Sequence, residues 1–157
     1  MLPLKKILCP TDFSEASYEG LKAANELALH FSAELSIVHV IPPIPTPVGL
    51  SPVGPAAPAS FNVPSYQKEL EESSTRTLRE VVEQRVSKNL SVKRTIVHGS
   101  AAQEIVRVAD EEGIDLIVIA SHGQTGWRRI MYGSVAEKVV RLAQRPVLAV
   151  PAPHDEE

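Results

Sequence analysis

Cysteine is scarce in this chain and a basic surplus and long apolar runs are missing, and each lack removes a class of protein. Among 157 residues there is one cysteine, Cys9, so no internal disulfide can form and a disulfide-stapled scaffold is excluded. The 16 Lys and Arg against 19 Asp and Glu leave a net charge of −3, with no basic excess to drive binding to nucleic acid or to an anionic lipid surface. Apolar runs such as Ile114 to Ala120 are strand-sized and far short of the roughly 20 residues of a membrane helix. No N-terminal stretch joins a basic start, an apolar run and a small-residue cleavage site. A reducing, cytoplasmic setting is the expectation, with no membrane and no nucleic acid as partners.

What is present is an alternation. The 43% of apolar residues is enough for one sheet covered by helices. Five β-branched runs predict strands at Lys6 to Cys9, Leu35 to Ile41, Val92 to Val97, Leu116 to Ala120 and Pro146 to Val150. Longer segments with helical spacing separate them, which is the pattern of βαβ units on a parallel sheet. The fourth run is apolar throughout and reads as the sheet centre. Helix faces are marked by Leu21, Ala24, Ala28 and Phe31; by Leu78, Val81, Val82 and Val86; by Ile105, Val108 and Ala109; and by Val135, Val139 and Leu142. Ser14 reads as an N-cap, Ser100 with Gln103 and Ser134 with Glu137 read as capping boxes, and Gly113 as a helix stop. Pro42 to Pro64 holds eight of the 13 prolines and reads as a long loop unable to sustain helix or sheet. Within it Leu50, Val53 and Phe61 raise the alternative of a lid or docking loop. A single domain over residues 1–152 with a solvated acidic tail at 153–157 is the expected organisation.

The stretch from Ala120 to Ser134 leaves a buried strand, crosses a loop containing Gly123 and Gly126, and enters a helix at Gly133-Ser134. Phosphate sites are built this way, because glycine lets backbone N–H groups approach an anion and a helix N-terminus adds unpaired donors. The bland alternative carries equal weight on these grounds: glycines that turn and a serine that caps. Gly-x-x-x-x-Gly-Lys-[Ser/Thr] is absent, and no Gly-x-Gly-x-x-Gly follows the first strand, which removes the P-loop and dinucleotide-binding readings. Ser14, Ser121 and Ser134 lack a Gly-x-Ser-x-Gly elbow. His39, His98 and His122 lack metal-ligand spacing and read as packed or hydrogen-bonded side chains. Cys9 reads as a buried, unreactive thiol, Trp127 as a packing residue, and Arg128 and Arg129 as solvated cations, one of which could assist a phosphate.

Three segments together resemble the universal stress protein family over nearly the whole chain. Lys6-Ile-Leu-Cys-Pro10-Thr-Asp12-Phe-Ser14 is similar to that family's first strand and aspartate turn, and Val38-His39-Val40 to the end of its second strand. The late loop is similar to the pattern Gly-x2-Gly-x9-Gly-[Ser/Thr], matched by Gly123 and Gly133-Ser134 and departing at the first glycine, which is Ala120. The resemblance implies an open, Rossmann-like α/β fold, a five-stranded parallel sheet in the order 3-2-1-4-5 with helices on both faces. It also implies an ATP site, with Mg²⁺ as a possible companion and no metal ligand from the protein. Asp12 and Val40 would border the adenine, Pro10 and Ala120 the ribose, and Gly123, Gly133, Ser134 and Val135 the phosphates. A regulatory or protective role in the stress response follows, as does a homodimer through Pro146 to Val150. Two alternatives stay open: a slow ATP-hydrolysing or adenylyl-transferring enzyme of the same superfamily, and a dimeric family member that binds no nucleotide.

Overall fold

The computed structural model describes residues 3–44, 62–121 and 133–151. Strands and helices alternate along it: β1 (Lys6–Pro10), α1 (Glu15–Phe31), β2 (Glu34–Ile41), α2 (Val63–Arg85), β3 (Val92–His98), α3 (Ala101–Glu111), β4 (Leu116–Ala120), α4 (Ser134–Leu142) and β5 (Val147–Val150). The strands form one five-stranded sheet in the order β3-β2-β1-β4-β5, with every pairing parallel. The order is the expected one, and the strands match the predicted runs to within a residue at each end.

The period of two along each strand sorts the side chains into two cores. Ile7, Cys9, Leu35, Ile37 and Val118 face one side, where Leu21, Ala24 and Ala28 of α1 and Leu78 and Val81 of α2 cover them. Leu8, Val38, Ile117 and Ile119 face the other, under Ile105, Val108 and Ala109 of α3 and Ala136 and Val139 of α4. Burial on both faces makes the interior strands continuous apolar runs. That signal marks any interior strand, and it misplaces the centre: β1 is the middle strand and β4 lies beside it, next to the edge strand β5.

Three local readings also change. The proline-rich segment ends earlier than Pro64, because α2 begins at Val63 with Pro64 in its first turn and the Asn62 Oδ1 accepting from Ser65 N–H at 3.3 Å. Proline is harmless there, since a first-turn N–H has no helical partner to lose. Ser134 is the first residue of α4 rather than its cap. Gly133 occupies the cap position and no side chain caps the helix. Ser100 does precede α3 as the cap residue, yet its side chain makes no capping hydrogen bond. On α4 the buried pair is Ala136 and Val139, while Val135 and Leu142 lie exposed, so the buried stripe is rotated from the expected one. Ser14 caps α1 as expected, and Gly113 follows the end of α3 at φ 63°. Leu50, Val53, Phe61 and Asp155 to Glu157 lie outside the described residues.

Candidate functional site in the cleft between β1 and β4

A parallel sheet brings every strand-to-helix turn to one edge, and where neighbouring crossovers depart in opposite directions the turns part and leave a crevice. Here that point lies between β1, which leads toward β2 and β3, and β4, which leads to β5. A cleft of about 270 Å³ opens there. Pro10, Asp12, Val40, Ala120, Gly133, Ser134 and Val135 all line it. These are seven of the eight residues singled out from the sequence; the eighth, Gly123, lies outside the described residues, as do His122, Gly126, Trp127, Arg128 and Arg129.

The walls divide by chemistry. Val38, Val40, Ile105 and Ile119 supply an apolar side suited to a flat ring. The opposite end is backbone: Gly133, Ser134 and Val135 open α4, whose N-terminus carries no side-chain cap. The first N–H groups of a helix have no intrahelical acceptor and carry the positive end of the helix dipole. The turn is anchored to the sheet, since Gly133 N–H donates to Ser121 C=O and Ser121 N–H donates to Val150 C=O at 2.8 Å.

The β1–α1 turn forms the third side and is held by short hydrogen bonds. Thr11 N–H donates to Val38 C=O at 2.9 Å, prolonging the β1–β2 pairing by one residue. The Thr11 hydroxyl accepts from Phe13 N–H at 3.1 Å and meets the Ser17 hydroxyl at 2.9 Å, and Ser17 in turn donates to Ser14 C=O at 2.7 Å. Asp12 turns its carboxylate onto the start of α1, accepting from Ser14 N–H at 3.0 Å and from the Ser14 hydroxyl. Its side chain thus does what an aspartate before a capped helix does, while the residue as a whole borders the cleft.

His39 lies outside the lining, on the opposite face of β2 from Val38 and Val40, and its Nδ1 is 2.8 Å from Thr11 C=O. Burial holds its imidazole below the ordinary value, opposed by the bond to Thr11 and the nearby Asp12 carboxylate. His98 instead meets Glu71 at 3.3 Å, so these two histidines do not converge. Among the described residues no group of His, Cys, Asp and Glu is placed to hold a metal ion. Cys9 is fully buried inside β1, and its thiol is pushed up to about 12 by burial, which keeps it protonated and inert.

Six lining residues were not among the site residues expected from the sequence: Thr11, Ser17, Val38, Ala101, Ile105 and Ile119. Thr11 had a signal in its position between Pro10 and Asp12 at a strand end. Ala101 and Ile105 belong to α3, whose approach to β1 and β4 depends on how far the helix leans over the sheet, and no local pattern records that.

Comparison with known proteins agrees with this geometry. The family model described as the universal stress protein family matches residues 3–151. The chain belongs to the universal stress protein family. Two relatives from Methanocaldococcus jannaschii bear the family name: universal stress protein MJ0577, 35% identical over 93% of this chain and 94% of that one, and universal stress protein MJ0531, 36% identical over 97% and 85%. The solved structure of MJ0577 superposes with a TM-score of 0.73 at 31% identity, covering 97% of this chain and 99% of that one. Two further family structures share the fold at 20% identity. One is a complex with cAMP, at a TM-score of 0.65 and covering 94% and 97%. The other, from Archaeoglobus fulgidus, is a complex with dAMP, at a TM-score of 0.57 and covering 95% and 98%. No described helix is long and apolar enough to cross a membrane.

Proposed function

We propose that this chain is a cytoplasmic ATP-binding member of its family with a regulatory or protective role in the stress response, and that ATP binds in the cleft between β1 and β4. One observation carries the reading: seven residues that the family resemblance marks, scattered along the sequence, line a single cleft at the switch point of the sheet. The chemistry of the walls fits the ligand's parts. The adenine would lie against Val40 beside Asp12, the ribose between Pro10 and Ala120, and the phosphates at the uncapped start of α4, with Gly123 reaching them from the loop. Mg²⁺ would arrive as the counter-ion of the triphosphate, with no protein ligand assigned to it. That family members form complexes with cAMP and dAMP supports an adenine nucleotide as the ligand class. The same reading includes a homodimer paired through β5, the edge strand next to β4 among the described residues.

Calorimetric titration with ATP, ADP, AMP, cAMP and dAMP, run beside mass spectrometry of ligand released from the purified protein, tests the assignment. Gly133→Val gives the sharper check. Gly133 has φ −50° and ψ 145°, a conformation open to any residue, so the substitution leaves the backbone unstrained and acts through bulk at the phosphate end. ATP binding is expected to weaken by about 2 kcal/mol or more as charge-assisted bonds are lost. Unchanged affinity in a folded variant would sink the phosphate assignment.

A further inference from the structure

The turn that carries Asp12 into the cleft has a feature that its own residues do not supply. Thr11 makes the last β1–β2 bond, and the chain then passes through Phe13 at φ 65°, a left-handed conformation costly for an aromatic residue. Both residues beside Asp12 are held by one side chain from the neighbouring strand. His39 reaches Thr11 C=O with Nδ1 at 2.8 Å, and its ring stacks on Phe13 with centroids 4.1 Å apart and planes 25° from parallel. A carbonyl oxygen only accepts, so Nδ1 carries the proton and the tautomer is fixed. We infer that His39 is a positioning residue for the nucleotide cleft: by bonding Thr11 C=O and stacking on Phe13 it clamps the β1–α1 turn and sets where Asp12 stands against the ligand.

The geometry of β2 explains why the clamp acts on the cleft and on little else. Alternation along the strand sends Val38 and Val40 into the cleft wall and His39 to the opposite face, toward the turn. The same three residues therefore fix the apolar wall and the facing turn relative to one another. Without the His39 bond, Thr11 C=O would lose the partner the structure gives it, and Phe13 would hold its left-handed conformation without the stack. The turn would keep its Thr11, Ser14 and Ser17 hydrogen bonds and move as a unit.

The inference rests on the nucleotide reading, and the test separates the two. ATP affinity is measured by calorimetry for the wild type and for His39→Leu, His39→Phe and His39→Asn, each well below its own unfolding temperature. Asparagine presents an amide N–H near the Nδ1 position, and phenylalanine keeps only the stack. His39→Leu and His39→Phe are expected to bind ATP about tenfold more weakly, and His39→Asn to recover most of that loss, since one part-buried hydrogen bond is at stake. Faster amide exchange at Thr11, whose N–H ties the turn to Val38 C=O of β2, is expected to accompany it in ligand-free His39→Leu, with exchange in the core strands unchanged. A wild type that binds ATP beside a folded His39→Leu of equal affinity overturns the inference alone. Should His39→Leu fail to fold, equal affinities of His39→Phe and wild type overturn it instead. A wild type that binds none of the nucleotides overturns the nucleotide reading and this inference with it.

Discussion

Two serines that look alike in the sequence behave differently once folded, and the difference can be measured. Ser14 and Ser134 each precede an apolar-periodic segment, and both read as N-caps. Ser14 is one: its backbone is extended and its Oγ accepts from Ser17 N–H at 3.2 Å. Ser134 is already helical, one residue too late to cap, because Gly133 before it takes the cap position. Ser14→Ala is therefore expected to lower stability by about 1 kcal/mol, and Ser134→Ala to leave it within about 0.5 kcal/mol. Chemical denaturation of the two variants side by side checks this; equal losses would contradict the observed cap positions. Under the nucleotide reading Ser134→Ala acts on ATP affinity instead. The sequence pattern could not separate the two serines, since glycine is itself an acceptable cap and the pattern does not say which of Gly133 and Ser134 takes the role.

At the level of helices and strands, α1 comes close to β4 at Ala120, which lines the cleft. Gly20 lies fully inside α1, and a Cβ built there would stand 3.0 Å from the backbone nitrogen of Ala120. That neighbour is main chain in a paired strand, so it cannot swing aside as a side chain would. Alanine's advantage in helix propensity of about 1 kcal/mol over glycine is offset by this contact, and a branched residue meets it in full. Gly20→Val is expected to destabilise the fold by about 2 kcal/mol or more and to weaken ATP binding by displacing Ala120. A variant as stable as wild type would mean that the two elements part without cost. The strand order was implied only by the family resemblance, whereas strand limits and the faces of α1, α2 and α3 were legible in the sequence because burial on one face or two imposes a period. The start of α2 and the rotation of α4 were not. A proline is read as a breaker until its neighbours show it in a first turn, and Val135, Val140 and Leu142 are apolar residues that the fold leaves 37%, 49% and 51% exposed.

Those exposed residues matter for the molecule as a whole. Leu148 on the edge strand β5 is 41% exposed, close in sequence to Val140 and Leu142 of α4. An unpaired apolar edge is a surface for a second chain, and two copies joined edge to edge satisfy each other through a two-fold axis. Wild type is expected to sediment as a dimer and Leu148→Lys as a folded monomer. A monomeric wild type, or a dimeric Leu148→Lys, would exclude this edge as the interface. Leu148 is the informative site, because Val150 packs against the core and its substitution would confuse association with folding.

Acid stability belongs to the same scale. Burial lowers the His39 value in the folded chain, so the unfolded chain binds the proton more readily. The stability this contributes is present above the ordinary value of 6.5 and is lost as pH falls through it toward the folded value. Asp115, held low mainly by the Lys5 N–H bond, contributes only in a more acidic window, below its ordinary 3.8. Thermal unfolding between pH 7.5 and 5.5, about a unit either side of the ordinary histidine value, is expected to show a falling midpoint in wild type and a smaller fall in His39→Phe. Parallel curves for the two proteins would remove His39 from the account.

The central place of β1 also has a consequence for how the chain comes into being. Its partners on one side, in β2, follow within about 30 residues, but on the other side Ile7 pairs with Leu116 and the Lys5 and Lys6 N–H groups bond Asp115. During synthesis β1, α1, β2, α2 and β3 are complete while one edge of β1 is still bare, and that edge is apolar. The seam between β1 and β4 closes only when β4 has left the ribosome, as is general for pairings remote in sequence. The cleft straddles this seam and also needs the start of α4, so it forms late in synthesis, with only the rest of α4 and β5 to follow. A nascent chain stalled before β4 carries an exposed strand edge and no cleft.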